Sequence, residues 1–283
     1  MENLPQWNCD ELLASPLFAP LFAVLQRLER TRFPLLDDFN SLLATQPAIK
    51  VHSNKQLRFV EQGIGRLAFE SQYEPRCYLN GEVQTRENNL HDLFNALVWL
   101  VFPLTKAAIN ARHYRALTEV VLPLQTQRGR VRDMATLFDE SGIVVVCANS
   151  ELAGLLRDFK WKELFWSRRD EVAAGMGFYL FGHGLYEKAI HPYVGMTGQG
   201  LLLPVEDEFF NWPMQRRMQL LDERMATYLN DALHCCDTRE LTPVPLLGIP
   251  GWSNDNSQAE YYDNKKYFRA GRANAVNGWE EFC

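Results

Sequence analysis

Three polar clusters in the chain carry residue types capable of acid–base or metal chemistry. The first is Asn88, Asn89, His91, Asp92 and Asn95, at the start of the otherwise apolar run HDLFNALVWLVF. His91 and Asn95 stand four apart and share a helical face. Beyond Pro103, Lys106, Asn110 and His113 recur at spacings of four and three, again on one face. Two helices meeting at Pro103 would bring these stripes together. His91 and Asp92 would then do acid–base work, while Asn88, Asn95, Lys106, Asn110 and Arg112 would bind substrate. The structural alternative is that Asn88, Asn89 or Asp92 caps the helix and His91 bonds a neighbouring carbonyl.

The second cluster is Gly182-His183-Gly184 at a strand-to-helix junction, followed by Glu187 and His191. His183, Glu187 and His191 fall at i, i+4 and i+8. His183 and Glu187 are read as catalytic and as metal ligands, because imidazole with carboxylate suits zinc, iron or manganese. A third ligand would have to come from His91, His113 or Asp139, and a divalent metal is the cofactor such a set would take. The free N–H groups at the same junction would equally suit a phosphate or carboxylate, with Gly184 allowing close approach. Against both stands a plain reading in which Glu187 pairs with Lys188 or a surface arginine and His183 satisfies the turn.

The third cluster, Asp139-Glu140-Ser141-Gly142, places two acids beside a very apolar strand, where partial burial would raise a carboxyl pKa. Asp139 is the secondary metal candidate, although Asp, Ser and Gly are also turn residues for backbone reasons alone. Between positions 106 and 132, Lys106, Arg112, Arg115, Arg128, Arg130 and Arg132 face a single acid, Glu119. Arginine forks grip phosphate and carboxylate, so an anionic small molecule is the expected partner. Few aromatics interleave with these cations and the whole chain carries −6, which argues against nucleic acid.

The elements that must position these residues follow from periodicity. Residues 10–13, 16–30 and 35–44 read as helices, punctuated by Pro34 and Pro47. Residues 49–85 carry short β-type runs broken by Asn80-Gly81, a hairpin dipeptide. Two helices separated by Pro103 follow, then a polar connector over 125–133. A hairpin turning at 139–142 is expected within MATLFDESGIVVVCA. Ser150 is expected to cap a helix, MGFYLF and GLLLPV to be strands, and a long helix to run from Pro213 to about His234. Helices, then strands, then helices without βαβ alternation predict an α+β fold: N-terminal helices, a central mixed or antiparallel sheet with packed helices, and an ordered C-terminal tail. We divide this single α+β domain, 1–283, into a helical part (1–48), a core (49–240) and a wrapping tail (241–283).

TRENNLHDLFNALVWLVFPLTKAAINARH, LFDESGIVVV, FGHGLYEKAIHPYVG and PLLGIPGWSNDNSQAEYYDNKKYFR together resemble a bacterial family of domains of unknown function (DUF3025-like), from about residue 85 to 269. Within the resemblance, residues 88–96, 138–142 and 182–188 belong to the family core. It implies no activity, cofactor or partner, and His191 belongs to none of its patterns.

The 283 residues are 47% hydrophobic, 12% aromatic and 23% charged, which excludes a mostly disordered or collagenous chain. The apolar runs 16–25 and 96–104 fall short of the roughly 18–20 residues that span a bilayer, so no membrane partner is expected. The start MENLPQWNCDELL has three acids and no basic residue, and six cysteines lie at irregular spacings. Both features predict a cytoplasmic protein with reduced thiols. Walker, Rossmann, nucleophile-elbow and His-Glu-x-x-His motifs are missing. The best functional expectation is an enzyme, a metal-dependent hydrolase acting on an anionic or phosphorylated small molecule. The alternative is a non-catalytic ligand-binding or protein-interaction module.

Overall fold

A computed structural model describes residues 7–65, 67–118, 125–231, 234 and 237–271 as an α+β fold. The N-terminal part contains α1 (Cys9–Ala14), the tight turn Pro16–Leu21, α2 (Phe22–Leu25) and α3 (Leu36–Ala44). Pro20 removes a backbone donor from the helix expected over 16–30, and the segment divides into a 3-10 turn and a short α-helix.

Next come β1 (Arg58–Glu61), α4 (Tyr73–Asn80) and β2 (Glu82–Thr85); the two strands pair in parallel with Phe59 opposite Val83. The Asn80-Gly81 dipeptide is therefore not a hairpin. Gly81 takes φ 73° as the residue that closes α4, and its N–H reaches the Cys77 carbonyl at 2.8 Å. Hairpin turns and helix ends both call for a left-handed residue, so the dipeptide alone does not distinguish them.

Two buried helices follow, α5 (Leu90–Val101) and α6 (Pro103–Thr118), bent by 115° across Phe102. Asp222 fixes the corner: its carboxylate accepts from the N–H groups of Leu104 and Thr105 at 3.0 and 2.8 Å, and from the Thr105 hydroxyl at 2.6 Å. α7 (Gln125–Ser141) then leads without a turn into β3 (Gly142–Cys147). The connector expected over 125–133 and the first hairpin strand expected before residue 139 are both this helix. Met134, Ala135 and Phe138 are buried at helical spacing, and Asp139 to Ser141 form its last turn. The side chains of Arg128 and Arg130 lie outside the described residues.

The remaining elements are α8 (Ser150–Arg157), α9 (Arg169–Gly175), β4 (Met176–Leu180), α10 (His183–Ala189), β5 (Thr197–Pro204), α11 (Met214–Asn230) and β6 (Thr242–Pro245). Asn149 rather than Ser150 caps α8, its side chain accepting from the Glu151 N–H at 2.8 Å. Four strands form a mixed sheet in the order β4-β3-β5-β6, with β3 antiparallel to β4 and parallel to β5. The β-branched run in β3 suits this central, fully buried place, which water never reaches from either face.

The last described segment covers the core and also adds β6 to the sheet. Asn256 donates to the Leu247 and Ile249 carbonyls, Tyr262 donates to Gly248, and Tyr267 and Phe268 are buried. Residues 272–283 of the expected tail lie outside the described residues. Cys9, Cys77 and Cys147 are buried free thiols; Cys235, Cys236 and Cys283 lie outside the described residues. Among the described residues no single helix is long and apolar enough to cross a membrane.

Candidate functional site

Three helix ends converge on one cavity of about 480 Å³: the start of α5, the start of α10 and the end of α7. Each delivers one donor. His91 Nε2 and His183 Nε2 lie 3.0 Å apart, and Glu140 Oε1 is 3.6 Å from the first and 3.5 Å from the second. His183 is 5% exposed, whereas His91 and Glu140 are half-buried at the cavity wall.

Packing behind the histidines sets this geometry. Phe94 lies one turn after His91 and Tyr186 one turn after His183, and their rings stack at 5.8 Å with 17° between planes. Phe18 packs against both rings, and the Tyr186 hydroxyl donates to the Leu180 carbonyl at 2.6 Å. Aromatic burial and one satisfied hydroxyl thus lock α5 to α10 at the level where the imidazoles meet. The glycines flanking His183 let α10 dock on the end of α7. A Cβ at residue 182 would come within 2.5 Å of the Ser141 and Gly142 nitrogens, and one at residue 184 within 2.5 Å of Glu140 Oε2. Gly184 allows that close approach.

The other ring nitrogens face carboxylates. His91 Nδ1 is 3.1 Å from Glu187 Oε2, and His183 Nδ1 is 3.7 Å from Asp139 Oδ2, just beyond hydrogen-bonding distance. Asp139 is in turn held by the buried Lys106 ammonium at 2.5 Å. Burial raises the Asp139 carboxyl, but Lys106 and His183 outweigh it and hold the group below its ordinary value. Glu140 is also held low, first by its hydrogen bond with His183, against the burial that opposes ionisation.

The sequence-derived candidates divide into those the fold brings together and those it does not. His91, His183, Asp139 and Glu187 meet. Asp92 lines the cavity, but its carboxylate is occupied: the Arg86 guanidinium forks it at 2.9 Å twice and the Arg86 N–H donates at 2.7 Å. Asn89 caps α5 by accepting from the Asp92 N–H, as the structural alternative expects, while Asn88 is exposed at φ 53° outside the cavity. Asn95 lines the cavity and donates to the Tyr73 hydroxyl at 2.7 Å. Asn110 donates to Glu74, and Lys106 serves Asp139. Arg112 is not a substrate group: it donates to the carbonyls of Leu229, Asp231 and His234, tying α6 to the end of α11. His191 follows the end of α10 and is exposed, so the expected i, i+8 partnership does not form.

Sequence reasoning passed over Glu140, Glu74, Tyr73 and the position of Arg132. Arg132, Thr136, Asp139 and Glu140 all line the cavity from α7, a helical stripe hidden by reading that segment as connector and hairpin. Tyr73 and Glu74 come from α4, which the hairpin reading had dissolved. Burial pushes the Glu74 carboxyl above its ordinary value, although His113, the Asn110 amide and Lys106 oppose it.

Fold and site together define an α+β protein with an imidazole–carboxylate cluster at the wall of a polar pocket. The chain belongs to the family described as "Protein of unknown function (DUF3025)", whose model matches residues 57–272 and so spans every residue of the cluster. Nothing among curated proteins and nothing among solved structures matches the chain.

Proposed function

We propose that His91, His183 and Glu140 bind a divalent metal, and that the protein is a cytoplasmic metal-dependent hydrolase of a small anionic molecule. The observation that carries this reading is the trio of donor atoms separated by 3.0, 3.5 and 3.6 Å. Ligands about 2.1 Å from a metal stand about 3.0 Å apart in an octahedron and about 3.4 Å apart in a tetrahedron. With Nδ1–H of His91 donated to Glu187, its Nε2 carries a lone pair directed at His183 Nε2, a position that a metal ion would fill in place of the Nε2–H of His183. Histidine ligands commonly donate their second N–H to a carboxylate, the role we assign to Glu187 at 3.1 Å from His91 Nδ1.

Three protein ligands leave coordination positions open, and a metal there would polarise a substrate oxygen and acidify a bound water. In hydrolysis the water oxygen bonds to the electrophilic centre, the scissile bond breaks, and the proton lost by water passes to the leaving oxygen. Glu74, which lines the same cavity, is our assignment for that carrier. Arg132, which has no ion-pair partner among the described residues, takes the anion-binding role first expected of Arg112 and Lys106.

Elemental analysis with native mass spectrometry on untagged protein purified without chelators tests the reading. One metal per chain is expected in the wild type and none in His91→Ala, His183→Ala or Glu140→Ala. Wild-type protein that stays metal-free after incubation with zinc, manganese and ferrous iron would overturn it.

A further inference from the structure

Away from the imidazoles, the same cavity contains polar groups that the metal reading leaves unused. Asn95 is 6% exposed and lines the cavity; its Nδ2 is engaged by the Tyr73 hydroxyl, yet its Oδ1 has no hydrogen-bond partner. His113 is 7% exposed, lines the same cavity and makes no hydrogen bond among the described residues. Burying an acceptor without a donor costs about 1–3 kcal/mol, and one that lines a cavity is open to a donor from a bound molecule. The Asn95 amide serves Tyr73 through its Nδ2 and His113 acts on the charge of Glu74, but nothing in the described fold uses Asn95 Oδ1.

We infer that Asn95, with Tyr73 and His113 beside it, is a specificity subsite for a hydroxyl group of the substrate, which is therefore a hydroxylated anion rather than an apolar one. A hydroxyl both donates and accepts, so it pairs with either end of the Asn95 amide and with either nitrogen of His113. The neighbouring lining agrees: Gln72 and Thr136 offer further neutral hydrogen-bonding groups. A site built around such partners rejects the analogue that lacks the hydroxyl, because its own buried groups are then stranded. The inference rests on the pocket being the substrate site of the proposed metal centre.

The test compares n-alkyl phosphates of two to six carbons with the matching ω-hydroxyalkyl phosphates, binding being measured by calorimetry on the full chain. Metal content is determined in the same samples. At one or two chain lengths the hydroxylated ligand should bind about tenfold tighter than its parent in the wild type, and this advantage should vanish in Asn95→Ala while the alkyl phosphate binds as before. Asn95→Asp, which keeps an acceptor, should retain part of the preference. The inference is overturned if no chain length shows a preference, if neither series binds, or if the preference survives in a folded Asn95→Ala protein. The wild-type comparison stands even where that variant does not fold. Metal-loaded protein without a preference sinks the subsite alone; metal-free protein that still prefers the hydroxylated ligand sinks the metal centre alone.

Discussion

His91 and His183 are 92 residues apart in the chain, yet their Nε2 atoms meet at 3.0 Å. Phe94 and Tyr186, stacked one turn deeper, carry the load of that meeting. The histidine pair thus inherits its precision from the hydrophobic core beneath it, and the surrounding carboxylates act on a geometry already fixed.

Glu187 orients His91 without being among the three proposed ligands. Glu187→Gln should therefore weaken metal affinity by about 10–100-fold while leaving one metal bound per chain at saturation. Competition with a chromophoric chelator measures this. Complete loss of metal at saturation would instead make Glu187 a ligand.

The two glycines around His183 should fail in different ways. In Gly184→Ala the new methyl meets chiefly the Glu140 carboxylate, the movable end of a side chain, with the Glu140 carbonyl next at 3.1 Å, so metal affinity should fall with a smaller loss of stability than in Gly182→Ala. In Gly182→Ala it meets the backbone of Ser141 and Gly142, which cannot yield without separating α10 from α7. Urea denaturation should show the second variant less stable by about 1–3 kcal/mol or more, the range of an overpacked core.

Lys106 and Asp139 form a buried pair, so removing one partner strands the other. Lys106→Met should destabilise by about 3–5 kcal/mol at pH 7 and lift the Asp139 pKa above its present low value. The wild-type pair has the opposite pH behaviour: a folded-state pKa below the unfolded one contributes stability above the ordinary carboxyl pKa, lost as the pH falls through the lower folded value. Carboxyl NMR titration and urea midpoints between pH 3 and pH 7 would check both statements.

Asp222 runs the other way. Burial lifts its carboxyl to about 6 despite the hydrogen bonds from Thr105 and Leu104. The folded state then holds the proton more tightly than the unfolded chain, so this group makes the protein more stable as the pH falls from about 6 towards 4. The difference in urea midpoint between wild type and Asp222→Asn should change with pH across that interval. A difference that is flat across it would show that Asp222 titrates normally. At pH 7, Asp222→Ala leaves two N–H groups at the corner of α5 and α6 without their acceptor and should cost about 2–3 kcal/mol.

The α+β class, the helical character of α3, α5, α6 and α11, and the strands β3, β4 and β5 were legible in periodicity and β-branching. His91, His183, Glu187 and Asp139 stood out as polar residues at the ends of apolar runs, and the fold brings their side chains together. Two local signals misled. Asn80-Gly81 and Glu140-Ser141-Gly142 each look like a turn between strands, but in both the glycine follows a helix, where the same short side-chain-free residue is needed for close backbone approach.

By itself, then, the sequence determined which segments hide their apolar faces and which polar residues sit at their ends, since both depend on spacing along one chain. Only the tertiary structure decided how those ends were paired. It set Glu140 beside the two Nε2 atoms and Glu187 on the far nitrogen of His91, spent Arg112 on backbone carbonyls and Lys106 on Asp139, and left Asn95 Oδ1 without a donor. A charge or hydrogen bond finds its partner through distances of about 3 Å between segments far apart in sequence, and those distances are set by core packing, which no local pattern encodes.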